Sequence, residues 1–582
     1  MKSPLLLLTA LAFVTALLAF GINERTTEKK NKAAAKKNYT KKNIIGCSPD
    51  WNELNVWLEE SDIPPIPGAG NYKWKISTRN DSAQFYFNQG INMYYGFHII
   101  EAMASFKKAS KFDPNCAMLY WAQALSYGPN INDFGYSASP EALAAVSKAI
   151  EFEEKATAFE KALIDAMAIR YTSDSTDATR VQLNQDYTDM MQNVYKNHPV
   201  FPDAKALYAD AMMQQYPWDL WNVNGTPKPW TPRIRQVLEK LLVQSPLHPG
   251  ANHYYIHVLE SSPFADKALP SAGRLGKTNP ALSHLVHMPS HIYLRTGNYQ
   301  QGVLVNTTAV NSYNKMVQLF APVTSNSFLY VIHNLHMKAN NALLAGQYKN
   351  SIDAANETSK NISVDYLSIP PPMGNYLQYI HQTPVLVFVR FGKWDELMKI
   401  AAPDKAQVFS NIMYHFGRGM ALTGQSKFSE AVQALNELIN FMKDTSLNIP
   451  FVPFSPAIEA AKVSKNILIG TITLKQGKFN EAIAAFKEAV TIEENMVYNE
   501  PRDWILNPKH YLGDAYIKAG RFDDAIKTFQ KDLQNNKENG WALFGIWQSL
   551  SAQKKTIEAA KMLLRFRKAF GKSDIKLSGP VF

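Results

Sequence analysis

The sequence is poor in cysteine and in β-type patterns, and the common catalytic signatures are missing. Only Cys47 and Cys116 occur among its 582 residues, so a disulfide framework is excluded, and Cys116 is expected to be a small buried residue. No GxxxxGK[ST] loop, GxSxG elbow, GxGxxG turn or HExxH motif is present. Few stretches alternate apolar and polar residues with a period of two, which argues against β-sheets.

Net positive charge is also low outside one short segment. The chain has a net charge of +11, but residues 22–45 hold eight Lys and Arg against two Glu, and Lys2 adds one more positive charge. Residues 46–582 therefore carry only about +4, which is close to neutral for their length. No basic stripe runs through the folded part, so we expect no nucleic-acid partner.

The N-terminus carries a targeting signal. Lys2 is followed by the apolar run LLLLTALAFVTALLAF and a small-x-small site that ends at Gly21. Residues 1–21 are therefore predicted to be a secretory signal peptide, which places the protein in the periplasm or outside the cell. The alternative is an inner-membrane anchor formed by residues 4–22, with membrane contact restricted to this segment. Residues 22–46 are predicted to be a basic, flexible linker.

The remainder of the chain contains an internal repeat. A glycine, an aromatic residue two positions later and then an alanine recur in KQGKFNEAIAAFKEAV (475–490) and AGRFDDAIKTFQKDL (519–533), with weaker copies from residue 94 onward. We expect the glycine to allow two helices to approach closely at the turn, and Ala525 and Phe529 to share one face of the second helix. This arrangement predicts an all-α solenoid of tetratricopeptide-like helix-turn-helix repeats with loop insertions.

Longer segments resemble a known group of proteins. The segments DPNCAMLYWAQALSYGPNIN (113–132), ANHYYIHVLESS (251–262), HLVHMPSHIYLRTGNY (284–299) and NGWALFGIWQSL (539–550) look like those of large bacterial tetratricopeptide-repeat proteins of poorly defined role. The resemblance implies a repeat scaffold and no particular activity. We predict an N-terminal helical region (47–240), histidine-rich repeats (241–360) and C-terminal repeats (361–582).

Histidines are concentrated in the middle repeats. His253, His257 and Glu260 have the spacing of one helical face, and His284, His287 and His291 have that of another. The two sets are in register, because His253 and His284 are 31 residues apart and so are Glu260 and His291. Pro289 is expected to kink the second helix.

A third helix extends this pattern. His333 and His336 precede Gly346 by the same intervals at which His284 and His287 precede Gly297. Inner helices of a solenoid line its concave surface, so all these side chains are expected to lie on that wall. Imidazoles at such spacings are typical ligands of copper, zinc or iron, and Glu260 suits either direct ligation or a hydrogen bond to a ligand. A metal-free histidine network that rigidifies the repeats and a metal-free proton-transfer site remain alternatives.

Two functional hypotheses follow from the sequence. The first is an exported repeat scaffold whose concave groove binds a protein or peptide and carries the histidine site. The second is a metal-dependent enzyme, an oxidoreductase or a hydrolase, built on the same repeats. The tryptophan-rich segment YPWDLWNVNGTPKPWTP (216–232) is either an aromatic plug under a loop or a wall of a ligand site.

Overall fold

The computed structural model describes residues 51–582, apart from 133–135, 137, 175, 326–327 and 502–503. The predictions for residues 1–46, and Cys47, lie outside the described residues. Within that part of the chain no helix is long and apolar enough to cross a membrane. Cys116 is buried, and burial raises the pKa of its thiol to about 11, so this residue behaves as the small buried group expected.

The N-terminal part of the described chain is helical. Its helices are α1 (Trp51–Glu60), α2 (Asp81–Tyr94), α3 (Ile99–Phe112), α4 (Ala117–Ser126), α5 (Pro140–Glu151), α6 (Ala158–Arg170), α7 (Arg180–Asn197), α8 (Pro202–Gln215) and α9 (Thr231–Gln244). One continuous cluster of buried apolar side chains extends from Trp51 to Val323 and crosses the predicted domain boundary at residue 240.

The middle part carries the histidines. Its helices are α10 (Pro249–Glu260), α11 (Leu269–Thr278), α12 (Ser283–His287), α13 (Pro289–Thr296), α14 (Tyr299–Leu319), α15 (Phe328–Leu344) and α16 (Tyr348–Lys360). The helix that was predicted to kink is interrupted at this position, because α12 ends at His287 and α13 begins at Pro289, whose ring nitrogen has no hydrogen to donate to the preceding turn.

The C-terminal part consists of further helices. These are α17 (Val364–Leu367), α18 (Met373–His381), α19 (Thr383–Arg390), α20 (Trp394–Lys399), α21 (Val408–Gly424), α22 (Phe428–Phe441), α23 (Ala457–Lys475), α24 (Phe479–Asn495), α25 (Pro508–Lys518), α26 (Phe522–Asn535), α27 (Gly540–Ala552) and α28 (Thr556–Ala569). The described residues contain no β-strand, and the predicted all-α class is confirmed.

The repeat glycines have a different role from the one expected. Gly477 and Gly520 end the first helices of two hairpins with left-handed φ values of 78° and 71°, and no atom lies within 4 Å of a Cβ added at either position. A residue with a side chain is strained in this conformation, so backbone geometry rather than close approach requires glycine there. Close approach occurs inside the helices instead, where a Cβ on Gly470 would lie 2.5 Å from the ring of Phe486.

The C-terminal helices return to the middle part. The indole nitrogen of Trp541 on α27 donates to the carbonyl of Leu343 on α15 at 3.0 Å. The Tyr299 hydroxyl on α14 donates to the carbonyl of Lys537 at 2.8 Å. Hydrogen bonds between residues about 200 positions apart in the sequence therefore join the C-terminal and middle helices. A further long-range hydrogen bond, described below, places the segment before α25 against Glu260.

Candidate metal centre

Three of the histidines converge at a first site, formed between α10 and α12. The Nε2 atom of His253 lies 3.1 Å from Nε2 of His257, one helical turn later, and 3.1 Å from Nε2 of His284. All three side chains are buried. The 31-residue register predicted from the sequence is therefore a direct contact between His253 and His284.

A second site repeats this arrangement between α12, α13 and α15. The Nε2 atom of His287 lies 2.8 Å from Nε2 of His291 and 3.0 Å from Nε2 of His333. His287 and His291 are fully buried, whereas His333 is partly exposed. The two sites are neighbours, because the ring centroids of His284 and His287 are 6.0 Å apart.

Glu260 joins the two sites. Its Oε1 accepts a hydrogen bond from Nδ1 of His257 at 2.9 Å, and its Oε2 lies 2.8 Å from Nδ1 of His291, an ion-pair distance without hydrogen-bond alignment. The Tyr498 hydroxyl also donates to Oε2 at 2.9 Å. Burial alone would raise the pKa of Glu260, but His291 and His257 hold it well below its usual range, so the carboxylate is ionised. Glu260 therefore orients one histidine of each site rather than occupying either.

The Nδ1 partners decide which nitrogen of each histidine carries a proton. His253 Nδ1 lies 2.7 Å from the carbonyl oxygen of Tyr95, and His257 Nδ1 lies 2.9 Å from the Glu260 carboxylate. Both partners only accept, so each Nδ1 is protonated and, in a neutral ring, each Nε2 presents a lone pair. Burial lowers the pKa of both His253 and His257, which keeps both rings neutral. Two lone pairs thus face each other at 3.1 Å.

The same reasoning applies to the second site. His287 Nδ1 lies 2.6 Å from Oδ1 of Asn306, and the Asn306 amide group donates to the carbonyl of Gly302, which fixes the orientation of the amide. His291 directs Nδ1 toward Glu260. The Nε2 atom of His287 therefore also presents a lone pair, 2.8 Å from Nε2 of His291. Burial lowers the pKa of His287 well below its ordinary value.

The geometry suits a metal ion at each site. With metal–nitrogen bonds of about 2.0–2.1 Å, nitrogens 2.8–3.1 Å apart subtend angles of about 85–100° at a common ion. Three protein donors leave the fourth position of a four-coordinate ion free. Among the described residues, three groups have ligand atoms within 4.8 Å of one another. They are the first site, the second site, and His257 with Glu260 and Glu500.

Aromatic rings surround the first site. Phe97 is stacked on His257 and His284 at centroid distances of 5.9 and 5.6 Å. Trp218 presents its ring to His257 at 5.3 Å in an edge-to-face arrangement. Of the tryptophan-rich segment only Trp218 therefore reaches the histidines, whereas Trp230 is stacked on Tyr216 at 3.6 Å within its own loop. These contacts make the surroundings of the first site apolar.

The sequence does not predict two side chains near the sites, the phenol of Tyr498 and the carboxyl group of Glu500. It does predict His336 as a ligand, and this residue lies outside both sites. Tyr498 and Glu500 come from the segment before α25, and Oε1 of Glu500 lies 3.5 Å from Nε2 of His291. Burial and the charge of Glu260 raise the pKa of Glu500 well above its usual value. No motif marks either residue. His336, offered as an additional ligand, instead contacts the Thr383 hydroxyl at 3.0 Å and belongs to neither site.

The predicted exposure of the cluster is wrong. The histidines were expected on an open concave wall, but His253, His287 and His291 are completely buried and His284 is 5% exposed. The segment that carries Tyr498 covers Glu260, because contacts across 238 residues bring it there. The cluster is an interior site.

Comparisons with known proteins identify the repeat. Residues 466–496 match the family model of the tetratricopeptide repeat, which confirms the predicted repeat type. No curated protein matches the chain.

Solved structures give more distant likenesses. The chain is similar to the crystal structure of yeast Tom70 (11% identity, 95% of this chain and 99% of that chain covered, TM-score 0.27). It is also similar to a human IFIT1 dimer with m7Gppp-AAAA (11%, 89% and 99%, TM-score 0.33) and to the P58(IPK) TPR domain (12%, 81% and 99%, TM-score 0.21). Likenesses this distant say nothing about what the chain binds.

Proposed function

We propose that this tetratricopeptide-repeat scaffold binds two transition-metal ions in the neighbouring three-histidine sites. His253, His257 and His284 would hold one ion, and His287, His291 and His333 the other. The observation that supports this proposal is the convergence of three Nε2 atoms in each site, with two lone pairs facing each other between His253 and His257. Unpaired buried acceptors that face each other are costly, and a cation between them removes the cost.

The alternative of a metal-free histidine network accounts less well for these contacts. A network needs a proton between each pair of nitrogens, and the Nδ1 partners of His253 and His257 leave none on the Nε2 side. His284 can donate to one neighbour, because its Nδ1 has no hydrogen-bond partner among the described residues. One donor does not satisfy both lone pairs of the first site.

Metal analysis of the purified protein tests the proposal. Wild-type protein dialysed against zinc or copper is expected to retain about two ions per chain, and a His257→Ala/His287→Ala variant, which loses a ligand from each site, is expected to retain close to none. At free metal about 1,000-fold above the dissociation constant, each ion should raise the free energy of unfolding of the wild type by about 4 kcal/mol, or about 8 kcal/mol for both.

A His336→Gln variant is the matched control, because His336 is a buried histidine on α15 that belongs to neither site. It should bind metal as the wild type does. Equal metal content in the wild type and the double variant would overturn the proposal.

The repeat match at residues 466–496 supports a protein-interaction role for the scaffold, and we propose that a protein or peptide partner binds outside the buried cluster. We further propose export, based on the signal peptide predicted at residues 1–21. Fractionation of cells followed by mass measurement of the mature chain tests this. A full-length chain that remains in the cytoplasm would contradict it.

A further inference from the structure

The donor atoms indicate which metal the two sites hold. Six imidazole Nε2 atoms form the sites. The Glu260 carboxylate lies at the Nδ1 atoms of His257 and His291, and Oε1 of Glu500 lies 3.5 Å from His291 Nε2. Magnesium, calcium and manganese prefer oxygen ligands, so an all-nitrogen set disfavours them. Copper has the highest affinity among divalent ions for such donors and also forms a stable monovalent ion.

The charge of the surroundings favours monovalent copper. Among the described residues, the carboxylates within 4 Å of a ring nitrogen of the six histidines are those of Glu260 and Glu500, so at most two negative charges lie against the two ions. Uncompensated charge in a dry interior is expensive. Two monovalent ions bring half the charge of two divalent ions, and the Phe97 and Trp218 rings add apolar walls.

The two sites also lie close enough to act together. The ring planes of His284 and His287 are tilted by 30° at a centroid distance of 6.0 Å, so neighbouring rings on one helix face serve adjacent ions. Glu260 contacts a histidine of each site through its two oxygens. Since each site supplies three protein donors, a four-coordinate ion in either site has one free coordination position.

We propose that the two three-histidine sites form a coupled copper pair that binds molecular oxygen. This inference rests on the proposed function and adds the metal and the ligand. Each Cu(I) gives one electron to the oxygen molecule, which is reduced by two electrons to bound peroxide while both ions become Cu(II). The step consumes no proton and breaks no bond of the protein, and the σ bond between the oxygen atoms is retained. His333, the partly exposed ligand, marks the side from which oxygen enters.

The test uses the full chain loaded with Cu(I) under argon and then exposed to buffer that contains a known amount of oxygen. The wild type is expected to bind about two copper ions and to take up about one oxygen molecule per copper pair. Because the two Cu(II) ions are coupled, the product should give almost no electron paramagnetic resonance signal and an intense charge-transfer band in the near ultraviolet.

Two variants make the test specific. His333→Ala removes one ligand of the second site, so stoichiometric oxygen uptake and the charge-transfer band should be lost while the first site still holds copper. His336→Gln, altered three residues away on the same helix, should retain both properties.

The outcomes separate this inference from the proposed function. Two bound copper ions that each give a full paramagnetic signal, or that do not react with oxygen, would overturn the copper pair and leave metal binding intact. Protein that retains zinc and binds no copper would also overturn it. Protein that binds no metal at all would overturn the proposed function itself.

Discussion

The histidine region, residues 249–344, and the carboxy-terminal hairpins, residues 457–569, are both built from paired helices but fill their interiors differently. In the carboxy-terminal hairpins a phenylalanine lies against a glycine, and a Cβ on Gly513 would lie 2.2 Å from the ring of Phe529. In the histidine region the interior holds imidazoles and amides, such as His287 against Asn306. Apolar burial stabilises the first kind of interior by itself, whereas the second needs a partner for every polar atom. The same hairpin therefore serves as a scaffold in one region and as a binding site in the other.

The largest effect that separates the regions is expected from Phe529→Ala. Phe529 is completely buried and lies between Gly513 and Gly545, so its removal leaves a cavity and should lower the free energy of unfolding by about 3–5 kcal/mol. Urea unfolding followed by circular dichroism measures the loss. Phe479→Ala, at a position that is 38% exposed, is the control and should cost less than about 1 kcal/mol. Two results would contradict this difference between the regions. One is a similar loss in free energy of unfolding in both variants, and the other is loss of metal from Phe529→Ala protein that is still folded.

Acid should destabilise the histidine region in a defined pH window. Burial lowers the pKa of His336 from 6.5 to about 4, so below pH 6.5 the unfolded chain takes up a proton that the folded chain does not. The contribution of His336 to the free energy of unfolding is fully present above pH 6.5 and decreases as the pH falls from 6.5 to about 4. The total decrease is about 3 kcal/mol.

Urea unfolding of metal-free protein at pH 7.5 and pH 4.5 measures this dependence. The His336→Gln variant lacks the titrating group, so its free energy of unfolding should change less between the two pH values than that of the wild type. An identical pH dependence in the two proteins would show that His336 is not held neutral by burial.

Glu260→Gln should give the smallest of these effects. The variant keeps the shape of the side chain but loses the charge that orients His257 and His291, so metal affinity should fall about 10–100-fold, or about 1.4–2.8 kcal/mol. Competition with a chelator measures the affinity. Glu493→Gln is the matched control, since it removes a buried carboxylate paired with Lys509 in the carboxy-terminal hairpins and should leave metal affinity unchanged. Unaltered affinity in Glu260→Gln would show that this carboxylate does not link the two sites.

The repeat and much of the cluster are readable from the sequence because both follow helical periodicity. His253 and His257 are one turn apart on α10, and the 31-residue interval identified His284 as their neighbour on the next inner helix. The same use of residue intervals wrongly predicted that His336 lies in the cluster. Its position relative to Gly346 matches that of His287 relative to Gly297, but its imidazole faces Thr383 on α19 rather than the cluster. Spacing predicts which residues share a face, and it does not predict which neighbour that face meets.

Residues distant in the chain escaped prediction for the same reason. Tyr95 and Glu500 contact His253 and His291, and Tyr498 contacts Glu260. Each of the three lies more than 150 residues from its partner in the sequence, and none belongs to a motif. Burial of the cluster could not be predicted from the sequence either, since it depends on the segment before α25 lying against Glu260. A sequence-based prediction of an open wall follows from the solenoid alone and fails where a distant segment covers it.

The sequence by itself determined the helices, the repeat and the identity of the donor atoms, because those depend on local periodicity and on residue chemistry. Tertiary structure decided what the imidazoles are able to do. The carbonyl of Tyr95, the carboxylate of Glu260 and the amide of Asn306 each face an Nδ1 atom, and together they direct the Nε2 lone pairs toward one another. A lone pair acquires its direction only when a particular acceptor is placed behind the ring, and in this protein folding brings these acceptors from separate parts of the chain.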